Sequence, residues 1–272
     1  MPVDHYENFP VASWLLPGRL RKPIETIYAF ARSADDFADE GELPNSARID
    51  LLNGYERELD RIDAGSPATT PLFTNLALTI REHQLPVQLF RDLLSAFRQD
   101  VTKTRYANFG ELMDYCRRSA DPIGRLLLQL NMQTAPEHLA WSDAICSALQ
   151  LINHWQDVAI DLGKGPQGRI YLPREDMIRF DVTELQLAHR LCNDNWRSLM
   201  QFEVNRTRAL MLAGAPLGRL LPGRVGLEIR TIVAGGLRIL QKIESVDYDI
   251  FRHRPQLGVL DWPTLVFRAL FR

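Results

Sequence analysis

Cysteine is scarce in this chain of 272 residues. The three present, Cys116, Cys146 and Cys192, are odd in number and far apart. Without a CxxC or a Cys/His spacing, neither a disulfide framework nor a zinc site is expected, and a reducing cytoplasmic compartment fits. Positive charge is not in excess either. A net charge of −2 gives no reason to expect a nucleic-acid partner. No segment approaches the roughly 18 unbroken apolar residues of a spanning helix. The first residues, MPVDHYENFPVASWLLPGRL, lack the basic start and apolar run of a signal peptide. Alternating β-branched runs closed by hairpin turns are missing too, so strands are not expected.

What remains is helical. Hydrophobic residues make up 46% and charged residues 24%, the balance of an ordinary globular protein. Turn signals and 3.6-residue periodicity predict helices over about 23–39, 46–63, 71–83, 86–103, 109–131, 137–162, 182–213 and 224–246, with a short one near 261–270. Pro23, Pro86 and Pro136 stand where a first helical turn accepts them, and Asp181 and Thr183 are candidate N-terminal caps. No linker or composition break divides the chain, which predicts one all-α domain over residues 1–272.

Two acidic motifs stand out. In 30-FARSADDFADE-40, four acids crowd into six residues directly after an apolar stretch. In 145-ICSALQLINHWQDVAI-160, ten of sixteen residues are apolar and no Lys, Arg or Glu appears, yet the segment carries Asn153, Gln156 and Asp157, with Asp161 next. A helix apolar on most of its circumference is normally buried, and buried carboxylates are costly unless paired or bound to a cation. Residues four apart share a helix face, so Asp35 and Asp39 form one ladder and Asn153, Asp157 and Asp161 another, with Arg32 in reach of Asp35 and Asp36. If the two helices face each other, four carboxylates line one cavity. Two readings follow: solvated surface charge, or a site for Mg²⁺ ions bridging to a diphosphate.

The segments 28-YAFARSADDFADE-40, 115-YCRRSADPIG-124 and 150-QLINHWQDVAIDLGKGPQGRIYLP-173 resemble the squalene/phytoene synthase family of head-to-head prenyltransferases. The resemblance runs from about residue 5 to about 254. It implies an isoprenoid-synthase helical bundle around a central cavity, and Mg²⁺-dependent loss of diphosphate from a prenyl substrate. By that resemblance Asp35, Asp39, Asp157 and Asp161 would carry Mg²⁺. Arg32 and Tyr28 would match a Y-x-x-x-R in which the arginine holds diphosphate oxygens. Tyr115 would steer a cation or transfer a proton, Asn153 would precede the second motif by one turn, and His5 and Arg254 would lie near the diphosphate.

Several positions depart from the family pattern. Gln156 replaces an arginine just before the second motif, Asp121 and Pro122 stand where small residues are usual, and Leu237 replaces a late tyrosine. With HYENFPVAS, FARSADD and YCRRSA, these features resemble a bacterial branch, the hydroxysqualene synthases of hopanoid biosynthesis. That branch implies conversion of presqualene diphosphate to hydroxysqualene without NAD(P)H, beside neighbouring enzymes of the squalene pathway. Condensation of two farnesyl diphosphates, and a catalytically silent helical scaffold, are the alternatives. Gln156, as a neutral amide, is a candidate for positioning water.

Three further stretches carry open readings. The run 163-GKGPQG-168 has the letters of a dinucleotide fingerprint but follows a helix rather than a strand, so it reads as a flap with Lys164 and Arg169 near phosphate, or as a solvated loop. Phe9, Phe30, Phe97, Trp155 and His154 read as packing. The C-terminal 259-VLDWPTLVFRALFR-272 either docks on the domain or rests peripherally on the inner face of a membrane.

Overall fold

The computed structural model describes residues 18–41, 43–165 and 167–271. It is helical throughout: α1 Gly18–Asp39, α2 Asn45–Asp63, α3 Pro71–His83, α4 Val87–Thr102, α5 Phe109–Ser119, α6 Asp121–Leu130, α7 Pro136–Asp161, α8 Arg174–Arg179, α9 Glu184–Ala188, α10 Asp194–Gly214, α11 Leu217–Leu220, α12 Gly223–Ser245 and α13 Trp262–Phe271. Among the described residues the only β pairing is an isolated parallel bridge between Arg105 and Ile170.

Two apolar clusters organise the helices. The first joins α1 to α2, α3, α4 and α6 around Phe30, whose ring meets Phe73 and Phe90 edge-on at 5.9 and 5.2 Å. The second surrounds α7, which packs on α5, α6, α10 and α12. Trp155, fully buried, donates through Nε1 to Thr207 Oγ1 at 2.8 Å and pins α7 to α10. At Gly214 a Cβ would stand 2.5 Å from the Trp141 carbonyl, so only glycine lets the end of α10 come this close to α7. Each fully buried large apolar side chain contributes about 1.5–3 kcal/mol by transfer from water. Each of the two clusters supplies one acidic ladder to the seam between them.

Several boundaries differ from the periodicity reading. The predicted helix over 109–131 is two, because Pro122 lacks an N–H and Ala120 leaves helical geometry at φ −120° and ψ −48°. Asp121 opens α6, is buried, and accepts from Ser147 Oγ at 2.8 Å, tying α6 to α7. The predicted 182–213 also splits: Asn193 accepts from the Trp196 N–H and starts α10 afresh. Thr183 caps α9 through a capping box with Gln186, whereas Asp181 adopts φ 53° and caps nothing there. Pro23 lies inside α1 rather than in its first turn. The short α8 has too few residues for periodicity to reveal it.

Candidate active site

The first ladder follows from the α1 sequence. Phe30, Ala34 and Ala38 turn into the core, which leaves Arg32, Asp35, Asp36 and Asp39 half-buried on the other flank. Arg32 reaches Asp36 at 2.8 Å, Glu40 at 2.6 Å and Asp35 at 3.5 Å. Asp35 keeps 39% of its side-chain surface but is hemmed in by protein. That desolvation, reinforced by Asp39 and opposed by Arg32, pushes its carboxyl up to about 7. Tyr28, half-buried, stands one turn before Arg32.

The second ladder climbs α7 from exposed Asn153 through half-buried Asp157 to buried Asp161. Arg254 meets Asp157 with both arms of its fork, Nε to Oδ1 at 2.5 Å and Nη2 to Oδ2 at 3.1 Å. Gln156 is buried, and its Nε2 donates to the Pro255 carbonyl at 2.5 Å. Its amide therefore fastens the segment that delivers Arg254, a contact the sequence did not suggest. Burial pushes Asp161 up to about 6 against the pull of Lys164.

The ladders face each other, and the 163–169 segment joins them. Lys164 Nζ lies 3.0 Å from Asp39 Oδ2 on α1 and 3.3 Å from Asp161 Oδ1 on α7. Arg169 Nη1 donates to Asp39 Oδ1 at 2.7 Å and its Nη2 to the Asp100 carbonyl at 2.9 Å. Burial alone would raise Asp39, but Arg169 and Lys164 together outweigh it and hold the carboxyl below its ordinary value. The segment is thus neither a dinucleotide loop nor a plain solvated one.

Beneath the ladders lies a buried group that periodicity reading missed. Asp100 of α4 accepts from the Tyr115 hydroxyl at 2.8 Å and from the Tyr171 hydroxyl at 3.2 Å. Burial pushes it up to about 7, with Arg169 opposing. The signal was available: Asp100 falls on the apolar stripe of α4 with Leu93, Phe97 and Val101, where a carboxylate needs partners. Tyr171 arrives because the Ile170 N–H donates to the Thr104 carbonyl at 2.9 Å. His154 stacks on Tyr171 with centroids 3.7 Å apart, and burial holds it far below its ordinary value, at about 3. Phe30, Phe97 and Trp155 are buried in the two cores as expected. His5 and Phe9 lie outside the described residues.

The squalene/phytoene synthase family model matches residues 3–261. The chain belongs to the squalene/phytoene synthase family. Members of this family process prenyl diphosphates. The hydroxysqualene synthase of Sinorhizobium fredii is 40% identical over 94% of this chain and 85% of its own length. The phytoene synthase of Arthrospira platensis is 32% identical over 93% of this chain and 84% of its own. The crystal structure of squalene synthase HpnC from Alicyclobacillus acidocaldarius superposes with a TM-score of 0.82 at 40% identity, covering 90% of each chain.

Mg²⁺ is typical of squalene/phytoene synthases, and the residues here fit it. Among the described residues no three His, Cys, Asp or Glu side chains converge into a cage. Mg²⁺ does not need one, since it takes one or two carboxylates and completes its shell with water and phosphate oxygens. Asp39 and Asp161, from opposite helices, already share the positive charge of one ammonium.

Proposed function

We propose that the protein converts presqualene diphosphate to hydroxysqualene with Mg²⁺ as cofactor. The observation that carries this reading is the meeting of the two ladders at Lys164, with Arg32 and Arg254 on their flanks. Asp35, Asp39, Asp157 and Asp161 would hold Mg²⁺, which, when bound, supplies charge stabilisation to the departing diphosphate. Arg32 and Arg254 offer planar forks suited to phosphate oxygens, with Tyr28 and Asn153 beside the same substrate group. The C–O bond breaks with its electron pair leaving on diphosphate, and the cyclopropylcarbinyl cation rearranges. Water adds and loses a proton. Tyr115 can take that proton while passing its own to Asp100, with which it is already hydrogen-bonded. No nicotinamide is required, because the step is redox-neutral.

A second reading, condensation of two farnesyl diphosphates, is favoured by the likeness to a phytoene synthase. A silent scaffold is opposed by the retention of both ladders, since a scaffold has no use for clustered carboxylates. Incubation with Mg²⁺ and either presqualene diphosphate or farnesyl diphosphate, followed by mass spectrometry, separates the three. Hydroxysqualene from the first substrate alone supports our reading. Presqualene diphosphate or squalene from the second supports condensation, and turnover of neither leaves the scaffold.

No described helix is long and apolar enough to cross a membrane. Peripheral contact is part of the same proposal. α13 docks through Leu265 and Ala269, and Arg230 donates to the Ala269 carbonyl at 2.6 Å. Its outer flank exposes Trp262, Val266 and Leu270, and the turn before it exposes Val259 and Leu260. A prenyl substrate and product gain from such a flank at a lipid surface. Liposome sedimentation of a Leu260→Asp, Trp262→Asp variant tests this, and binding equal to wild type removes it.

A further inference from the structure

The reading of the ladders as Mg²⁺ sites leaves one residue unexplained. Lys164 places a full positive charge between Asp39 and Asp161, the two carboxylates from opposite helices that a bridging cation would use. An ammonium and a divalent ion repel each other, and both draw on the same carboxylate oxygens.

We propose that Lys164 is an exchangeable counter-ion that competes with Mg²⁺ for Asp39 and Asp161 and, once displaced, turns to a diphosphate oxygen. The proposal rests on the metal-site reading above and assigns this chain's own lysine a role within it.

The local architecture separates a moving part from a fixed one. The loop base is clamped on one carbonyl: the Asp161 oxygen accepts from the Lys164 N–H at 3.1 Å and from the Arg169 N–H at 2.7 Å. Gly168 closes the turn at φ +63°, where a Cβ would meet the Leu162 carbonyl at 2.5 Å, so only glycine allows the clamp. Arg169 is held in two directions, by Asp39 and by the Asp100 carbonyl, and its side chain is only 10% exposed. The Lys164 side chain is 39% exposed, and its compact charge rides on a flexible four-carbon stem. Asp39 therefore has a permanent partner in Arg169 and a replaceable one in Lys164. Displacement of Lys164 would swing the ammonium about a fixed base without unfastening the RIYLP segment that carries Tyr171.

The test uses the full-length protein and two titrations. In the first, Mg²⁺ alone is titrated calorimetrically into wild type, K164Q and K164R. In the second, inorganic diphosphate is titrated into each protein saturated with Mg²⁺. Loss of the competitor should tighten Mg²⁺ binding in K164Q by about tenfold, within the usual range of coupling between sites. The same variant should bind diphosphate several-fold more weakly, and K164R should behave like wild type. A merely structural role would weaken both titrations together. Unchanged or weakened Mg²⁺ binding in K164Q overturns the proposal, as does undiminished diphosphate binding. Asp39→Asn and Asp161→Asn separate this failure from that of the metal-site reading. If they bind Mg²⁺ as wild type does, the ladders are not the metal site and both ideas fall. If they lose Mg²⁺ while K164Q is unchanged, only the lysine's role falls.

Discussion

The two acidic ladders solve one electrostatic problem by different routes. On α1 the counter-charge is local: Arg32 sits three and four residues before Asp35 and Asp36 and also pairs with Glu40 just past the helix end. On α7 the helix supplies none. Asp157 waits for Arg254, 97 residues further along the chain, and Asp161 for Lys164 in the loop beyond. The first arrangement forms as soon as the helix does. The Asp157–Arg254 pair exists only when the domain has closed, which couples completion of the site to completion of the fold, whereas Lys164 stands only three residues after Asp161. Asp39 belongs to both classes, because its partners Lys164 and Arg169 come from across the seam.

That shared position gives the largest expected effect. Asp39→Asn removes a candidate metal ligand and takes a charged partner from both Lys164 and Arg169. Turnover of presqualene diphosphate should fall at least about a hundredfold, roughly 3 kcal/mol of barrier, with helical content by circular dichroism unchanged. Asp36→Asn, whose carboxylate pairs with Arg32 one turn back on its own helix, should stay within about threefold of wild type. Equal losses in the two would erase the distinction between cross-seam and local acids.

The long-range partner of Asp157 is the next place to press. Arg254→Lys keeps the charge but loses the fork that meets both carboxylate oxygens. We expect kcat/KM to fall about tenfold, near 1.4 kcal/mol. Gln156→Ala keeps the Arg254 fork itself and removes the amide that holds Pro255 beside it, so it should cost a few-fold at most, expressed mainly in KM. A larger loss from Gln156→Ala than from Arg254→Lys would move Gln156 from an anchoring role toward direct contact with the substrate or its water.

The contrast between local and distant contacts also explains what the sequence could reveal. The first ladder was legible because i, i+4 geometry is a property of the helix alone. The second was legible because Asp157 and Asp161 interrupt an otherwise apolar helix. Arg254 and Tyr115 were reached only through family resemblance, since nothing near either residue names its partner. For Lys164 the sequence supports either a flap near phosphate or a solvated loop, because no local pattern shows it closing onto a helix 125 residues earlier. The Asp100 network was missed although Asp100 falls on a buried stripe. Its partners arrive from α5 and from the segment after α7, and their arrival depends on the tertiary bridge at Ile170.

Asp100 offers a smaller test of the same theme. Tyr171→Phe removes one of the two hydroxyls that satisfy a fully buried carboxyl, at a cost of about 1–3 kcal/mol in urea unfolding. Tyr115→Phe should cost a similar amount of stability but also lose turnover, if Tyr115 alone relays the proton. Equal turnover in the two variants would deny Tyr115 its separate role.

A third acid cluster completes the comparison, because it is sealed where the ladders are open. Glu203 on α10 is fully buried, and it shares Arg206 with Asp176, each carboxylate within 2.7 Å of the guanidinium. Burial pushes Glu203 up to about 8 in spite of Arg206. A carboxyl raised on folding stays protonated in the native state after the unfolded chain has released its proton near 4.5. Its stabilising contribution is therefore complete below pH 4.5 and is lost as pH climbs through 8. Glu203→Gln keeps the shape and removes the titration. Wild type should thus lose stability relative to this variant between pH 5 and 8, by an amount on the order of 1–3 kcal/mol. Urea unfolding of both proteins across that range measures it. A constant gap would mean that Arg206 keeps Glu203 ionised, and the sealed cluster would then be paired in the same way as Asp39.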